Sequence, residues 1–556
     1  MDKCFFGLST SGHDPAFAVV NEAGQVVFAE STERFVQQKR AWGIDADHPE
    51  HIRHVLPHVL KGETDFVLSR SWLKSKANLH LDFSGGGIFD DHDIKWMLSL
   101  QDKAYNYAGI NLKHYLKQPG LEPKSFDHHL CHAVNACASF SKDNGLCLVI
   151  DGEGEVGSVS IYRLKNRELT RLTRSWGPGS LGSFYGLLTK LCGFDWRQGE
   201  EWKVMGLAAF GNVQIGFYEK FKNLLSVKNG KLLFSQPDDH HQIVEFLAEA
   251  KHNVGNYMEM ADIAASGQQA YTYFVNEILK HCEQYAENDL IISGGCALNS
   301  SFNGSLVQNS SYKNIHVPYA PADDGNAIGA ALLAWMNFNE TPKIPFIGTS
   351  PYLGTDIKWN TKAEISLKGL SFSKITDLGE KSPELLAQKL FEGKVIGVIR
   401  GRSEFGPRAL GNRSILANPL GKHMKDHINN FIKGRESYRP FAPVVNEKHV
   451  DKYFQKSQPS PYMSFTLPWK TEMLDLVPAV VHQDGTGRLQ TVNDESNHWF
   501  TELLHHFGEL SGIPIILNTS FNVMGKPIVH SLDDALIVLM TTGLDAILYD
   551  NLLIEK

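Results

Sequence analysis

A mixed α/β chain of two domains is what the sequence predicts, and three observations carry that expectation. The chain has 556 residues, too many for one core, so at least two domains are expected, each burying its own interior. A unit of strand, glycine-bearing turn and strand stands near the N-terminus and returns at 145–173. From about residue 365, strand-like apolar runs alternate with helical stretches.

Composition narrows the class. With 42% hydrophobic and 21% charged residues there is no disorder signature, and no apolar run approaches the length of a bilayer span, so no membrane partner is expected. The start, MDKCFFGLST, has one basic residue and enters a strand-like pattern, which argues against a secretory signal. Cysteines at 4, 131, 137, 147, 192, 282 and 296 form no CxxC pair, which fits reduced thiols and a cytoplasmic location. A formal net charge of -8 disfavours a nucleic-acid partner, because a phosphate backbone needs a surplus of Lys and Arg on one face.

Taken in order, residues 4–9, 16–20 and 26–30 read as short strands, joined by TSGHDP and NEAGQ with their turn formers. At 145–173 the pattern recurs around an acidic turn, DGEGE at 151–155. Actin-like, Hsp70-like and sugar-kinase-like ATPases are built from such a duplication, with phosphates held between the two turns; the glycine-rich hairpins of any α/β protein are the other reading. Residues 45–125, rich in His, Lys and aromatics with weak periodicity, are expected to be a mainly helical insertion. Apolar positions spaced by three and four over 256–288 predict a long helix. It runs into a strand and glycine turn, LIISGGCALN at 290–299, where the backbone of Gly294 and Gly295 can approach phosphate or adenosine. Asp323 and Asp324 open an Ala-rich helix, as cap or as metal ligand. The Pro, Gly, Asn and Thr density of 337–350 marks a linker, so the domains are expected at 1–350 and 351–556.

Two clusters bear chemistry. If 127–138 is helical, His128 and His132 stand at i and i+4 on one face, and Asp151, just past a strand-like run, adds an oxygen ligand. A helix with two surface histidines is the alternative. Further on, Arg400, Arg402, Arg408 and Arg413 fall in one loop, Lys433, Arg435 and Arg439 in another, and Arg488 in a third. They alternate with Gly, Pro and aromatics rather than Glu and Gln, and a guanidinium fork matches phosphate, so a phosphate pocket is expected.

Ten ordered motifs then agree with one family. They are GHDPA at 12–16, DHHLCHA at 127–133, DGEGE at 151–155, KVMGLAAFG at 203–211, SGGCALNSSFNG at 293–304, DDGNAIGAA at 323–331, FGPRALGNRS at 405–414, KGRESYRPFAP at 433–443, HQDGTGRLQTV at 482–492 and LNTSFN at 517–522. Over nearly its whole length the chain resembles the NodU/CmcH/TobZ-type O-carbamoyltransferases. The resemblance implies an ATPase-like N-terminal domain and a YrdC-like C-terminal one. It implies that carbamoyl phosphate and ATP (with Mg2+) give carbamoyladenylate, whose carbamoyl group passes to a hydroxyl of a small-molecule acceptor. It further implies a metal on His128, His132, Asp151 and Asp324; two imidazoles and two carboxylates suit Fe(II), Mn(II) or Zn(II), and the family points to iron.

By the same resemblance, Lys433, Arg439, Arg408 and Arg488 hold phosphates, Asn518, Thr519, Ser520 and Asn522 offer neutral donors, and Met463 lines that pocket. Gly294, Gly295 and Asn299 form the nucleotide-side turn, while His13 and Lys39 lie near the carbamoyladenylate in the first domain, as base, hydrogen-bond donor or charge partner. Ala209, Phe210 and Asn212 depart from the family pattern. A tRNA-modifying threonylcarbamoyl enzyme and a protein-thiol carbamoyltransferase are the alternatives. The acidic charge speaks against the first, and a core beginning at residue 4 speaks against the second. A homodimer is the candidate assembly.

Overall fold

Strand β1 (Asp2–Leu8) forms the middle of the first sheet because its apolar run is buried on both faces. It pairs antiparallel with β2 (Ala16–Val20), and β2 in turn with β3 (Val26–Ser31). On the other side β4 (Thr64–Arg70) runs parallel to β1, and β5 (Lys124–Ser125) parallel to β4. The order is therefore β3-β2-β1-β4-β5.

A second sheet repeats the plan. The meander β6 (Gly145–Ile150), β7 (Val159–Lys165) and β8 (Glu168–Arg174) is antiparallel throughout. After a separate hairpin, β9 (Leu225–Lys228) with β10 (Lys231–Phe234), come β11 (Asp289–Ser293), parallel to β6, and β12 (Asn314–His316), parallel to β11. The order β12-β11-β6-β7-β8 is the first sheet's order read from the other edge, with the same strand senses. This is the duplicated ATPase-like arrangement that the repeated turn units predict.

The computed structural model describes residues 2–60, 64–74, 91–177, 179–235, 237–252, 257–359 and 374–556. Within them the chain divides into two units, Met1–Glu33 with Arg40–Asn299 and Ser311–Thr349, and Arg34–Lys39 with Ser300–Ser310 and Ser350–Lys556. Residues 61–63 and 75–90 of the expected insertion, and the start of the second domain's alternation near 365, lie outside the described residues.

The span expected to be a mainly helical insertion also holds a strand. Residues 45–125 are not simply a helical insertion, since β4 lies inside that span and pairs with β1 along its length. The helices Pro49–Val59, Asp91–Asn106 and Ile110–Tyr115 surround it.

The helices of the first unit include α1 (His128–Ser139), α2 (Leu181–Leu191), α3 (Ala261–Cys282) and α4 (Asn326–Phe338). Helix α1 is buried almost all round, as a helix packed between other elements must be. Helix α4 crosses it so closely that a Cβ on Gly329 would stand 2.1 Å from the carbonyl oxygen of Cys131. Among the described residues no helix is long and apolar enough to cross a membrane.

The second unit is a mixed nine-stranded sheet. Its strands are β13 (Lys374–Asp377), β14 (Ile396–Ile399), β15 (Arg413–Ala417), β16 (Ala442–Asn446), β17 (Phe465–Pro468), β18 (Thr486–Val492), β19 (Ile515–Ser520), β20 (Ala546–Tyr549) and β21 (Leu552–Glu555). Their order is β13-β21-β20-β14-β15-β19-β16-β18-β17. Helices α5 (Ser382–Phe391) and α6 (Asp494–Ser511) bring Leu386, Leu390, Phe500, Leu504 and Phe507 onto Val398, Leu416 and Val444 of the sheet. Asn493 and Ser496 close the start of α6 with a reciprocal capping box.

Candidate functional site

Helix α1 starts where it does because Asp127 caps it, accepting from Leu130 N at 2.9 Å. Arg174 of β8 pairs with Asp127 at 2.8 Å and with Glu155 at 3.1 Å, and Glu155 accepts from His128 N at 2.9 Å. The first turn of α1 is thus fixed on three sides, and His128 and His132 project from it into the interior.

His128 Nδ1 donates to Ser71 O at 3.2 Å, and Trp72 stacks on the ring at 4.3 Å, leaving Nε2 to face the carboxylates. Nε2 lies 3.1 Å from Asp151 Oδ2 and 3.5 Å from Asp323 Oδ1. His132 Nε2 lies 3.5 Å from Asp151 Oδ2 and 3.3 Å from Asp323 Oδ1. Ligand atoms of His128, His132, Asp151 and Asp323 all lie within 4.8 Å of one another, and all four residues are buried.

Asp151 is aimed by the glycine turn after β11. Gly294, at φ 90, has no room for a side chain against Ile150 O, and the turn it makes lets Gly295 N donate to Asp151 Oδ1 at 2.8 Å. Gly294 N itself donates to Pro321 O at 2.8 Å. Both amides expected to approach a phosphate are therefore engaged inside the protein. Asn299 is likewise held, exchanging hydrogen bonds with Gln268 at 3.0 and 3.3 Å.

The expected fourth ligand, Asp324, is corrected to Asp323. Consecutive residues in a helical turn point roughly 100° apart, and the tight turn Asp323–Gly325 ahead of α4 sends only Asp323 toward α1. Asp324 turns to β3, accepting from Ser31 Oγ at 3.2 Å and from Gly325 N at 2.9 Å. Burial, aided by Asp14, pushes its carboxyl up to about 7. Asp323 goes the other way, its burial outweighed by His128 and His132, which hold it well below the usual range. His128 is raised to about 10, since Asp323 and Asp151 outweigh the opposing effect of burial.

These four residues fit a divalent cation. Nδ1 of His132 is buried without a hydrogen-bond partner, and the set offers two imidazole nitrogens and two carboxylates in one place.

His13 stands beside this cluster. Its Nε2 is 3.7 Å from Asp323 Oδ2, and its Nδ1 is 2.9 Å from Asp14 Oδ2. Arg40 grips the same Asp14 oxygen at 3.0 Å, and burial opposes but does not prevent the lowering of the Asp14 carboxyl by Arg40 and His13. Sequence reasoning misses Asp14, Arg40, Glu155, Arg174 and Trp72 as members of this site. Asp14 and Glu155 lie within the GHDPA and DGEGE motifs, but nothing local marks Arg174 as a partner of Glu155. Lys39, expected in the first domain, instead belongs to the second unit.

In that unit the expected arginines separate into two kinds. Arg413 is buried and donates to Arg400 O, Thr355 O and Gly401 O. Arg400 bonds Asp550 O and Asn551, and Arg402 bonds Gly354 O and Leu353 O. These three tie neighbouring loops together through backbone carbonyls.

The rest crowd one another. Arg408 is held well below its usual range by burial and by Arg488. Lys433 is lowered by burial and by Arg435, Arg439 and Lys39, and Arg435 by burial, Arg439 and Arg488. Burial brings both Arg439 and Arg488 down to about 10. Arg439 has Glu436 at 3.4 Å, but no ion pair joins Arg408, Lys433 or Arg488 to an acidic residue among the described residues. Four half-buried guanidinium groups gathered with the buried Lys433, with few carboxylates to match, are chemically suited to an anion.

The neutral residues serve the cations. Lys433 Nζ donates to Asn522 Oδ1 at 2.7 Å, Asn522 O at 3.0 Å, Ser520 Oγ at 3.2 Å and also Ser520 O. Asn522 Nδ2 donates to Lys526 O at 2.6 Å, and Asn518 Nδ2 to Gln490 Oε1 at 2.7 Å. Ser520, Asn522 and Asn518, expected as free donors, are thus largely spent on positioning. Met463 is buried at φ 57.

A duplicated sheet carrying a buried His/Asp cluster, and a second α/β unit carrying a cation-lined site, define the class: a two-unit α/β protein with an ATPase-like core. The chain belongs to the carbamoyltransferase family, residues 4–332 matching the family profile described as carbamoyltransferase N-terminus and 387–556 that described as carbamoyltransferase C-terminus. It is 34% identical to the nodulation protein NolNO of Sinorhizobium fredii over 445 residues, covering 77% of this chain but only 63% of that relative. It is 31% identical to the uncharacterized protein sll1178 of Synechocystis, over 99% of this chain and 96% of the relative. A solved structure, HypF of T. kodakarensis, aligns at 13% identity and TM-score 0.39, covering 61% of this chain and 48% of that one.

Proposed function

We propose that the protein is an ATP-dependent O-carbamoyltransferase that carbamoylates a hydroxyl of a small-molecule acceptor. The observation that carries this reading is the group of mutually repelling cations, the buried Lys433 with the half-buried Arg408, Arg435, Arg439 and Arg488, in a chain whose net charge is -8. Two highly anionic substrates, carbamoyl phosphate and Mg-ATP, would relieve that repulsion by binding.

In the balanced reaction, water cleaves the acyl phosphate into carbamate and phosphate. A carbamate oxygen then attacks the α-phosphorus of ATP, and pyrophosphate leaves. The cations would hold the phosphates in line and offset the charge of bringing two anions together. In the first unit, the acceptor oxygen attacks the carbonyl carbon of carbamoyladenylate and AMP leaves. The attacking hydroxyl's proton passes to His13, which Asp14 and Arg40 hold in place.

His128, His132, Asp151 and Asp323 would hold a divalent metal, taken as Fe(II), which when bound supplies a Lewis acid beside His13.

The test is pyrophosphate release from ATP and carbamoyl phosphate with no acceptor present. Lys433→Met is expected to reduce it at least about 100-fold, in line with losing one preorganised charge stabiliser. His13→Gln is expected to leave release unchanged while stopping transfer to an alcohol. No release by the wild-type protein would refute the activation step.

A further inference from the structure

His482 opens the HQDGTGR segment that supplies Arg488, yet neither activation nor transfer as proposed uses it. Its backbone closes a tight turn into β18, with His482 N donating to Thr486 O at 2.8 Å and Gly485 N to His482 O at 3.1 Å. The turn fixes the imidazole's protonation pattern. Thr486 Oγ1 lies 2.6 Å from Asp484 Oδ1, a carboxylate oxygen that can only accept, so the hydroxyl proton goes there. Toward His482 Nδ1, 3.2 Å away, the same hydroxyl can then only accept, so the hydrogen sits on Nδ1 and Nε2 is a bare lone pair.

The ring is near enough to Arg488 and Lys425 to feel their charge. Thr486 and Arg488 are two apart on a strand and share a face, so the ring bonded to Thr486 lies on the side from which Arg488 projects. Nε2 of His482 and Nε of Arg488 are both buried without a hydrogen-bond partner. Burial, with Arg488 and Lys425 acting against Asp484, keeps His482 down at about 4, so the ring stays neutral near pH 7.

A phosphate has no use for an acceptor. Every cation here donates and every phosphate oxygen accepts, so a bare nitrogen beside Arg488 would only repel the anion. Carbamoyl phosphate, however, carries an amino group three bonds from its phosphorus, and a phosphate held by the cations would bring that N–H within reach. The adenine amino group is a donor of the same kind, but a ribose and a purine ring separate it from the phosphates.

We propose that His482 is a substrate-reading residue of the activation site, its Nε2 accepting a hydrogen bond from the amino group of carbamoyl phosphate. This rests on the reaction proposed above. It accounts for how a cation pocket would prefer a carbamoyl over an acetyl phosphate, which match in shape but differ in that N–H.

Pyrophosphate release is measured with carbamoyl or acetyl phosphate, and with ATP or purine riboside triphosphate, which lacks the amino group. The wild type is expected to favour carbamoyl phosphate. His482→Phe should lower kcat/KM for carbamoyl phosphate by about 10-fold or more, the cost of an unmade buried hydrogen bond, and leave acetyl phosphate within about twofold. His482→Gln, whose carbonyl oxygen can accept at a similar reach, should keep most of the preference and shows that a loss in the Phe variant is not misfolding. Equal losses on both acyl phosphates, an unchanged preference, or a loss confined to the choice between the two nucleotides would each overturn the proposal. If the wild type releases no pyrophosphate with any acyl phosphate, the activation reading fails first and takes this one with it.

Discussion

Asp323 and Asp324 are neighbours in sequence with opposite surroundings. One faces two imidazoles and is held ionised; the other faces a serine hydroxyl and a backbone amide and is pushed up to about 7. Only an ionised carboxylate with a free lone pair makes a good ligand, so the two positions are expected to differ sharply on substitution. Asp323→Asn should cost metal affinity by more than the roughly 10- to 100-fold lost with an outer partner. Asp324→Asn should leave bound metal near the wild-type level, because an amide can keep both of its contacts. Metal content after extensive dialysis, read by elemental analysis, separates the two. Loss of metal in the Asp324 variant alone would reverse the assignment.

At the scale of elements, the cluster depends on how closely α1 and α4 cross, because one carries the histidines and the other follows the Asp323 turn. Gly329→Val would push a side chain into the backbone of Cys131, which cannot give way as a flexible side chain would. The expected cost is about 1–3 kcal/mol or more, typical of an overpacked core. Thermal unfolding should shift down, and metal should be lost even though no ligand has changed.

Much of this framework is legible in the sequence. β1, β2, β3 and the meander at 145–173 follow from alternation and turn residues, as does the long helix α3. β4 is hidden because TDFVLSR sits in a polar, His-rich span whose weak periodicity suggests helix, and its pairing with β1 is a long-range fact. The choice between Asp323 and Asp324 turns on one step of a helical turn, which composition does not reveal. Arg400, Arg402 and Arg413 look like Arg408 in sequence, and only their carbonyl partners show that they serve loops.

For the whole molecule, the two clusters fall in different units: the His/Asp cluster with His13 in one, the group of cations in the other. Activation and transfer should therefore respond to different treatments. 1,10-Phenanthroline removes borderline metals such as Fe(II) through its nitrogen donors and leaves Mg2+, a hard oxygen-seeking ion, with ATP. After such treatment, pyrophosphate release from ATP and carbamoyl phosphate is expected to stay within about twofold, because the proposed activation step uses the cation group rather than the His/Asp cluster. Carbamoylation of an alcohol should fall by at least about 100-fold, the scale on which a Lewis acid acts, and return when Fe(II) is added under reducing conditions. Mn(II) and Zn(II) in place of Fe(II) would rank the metals at a site whose ligands admit all three. Parallel loss of both half-reactions would mean that the cluster holds the activation site together as well, and the division of labour between the units would have to be abandoned.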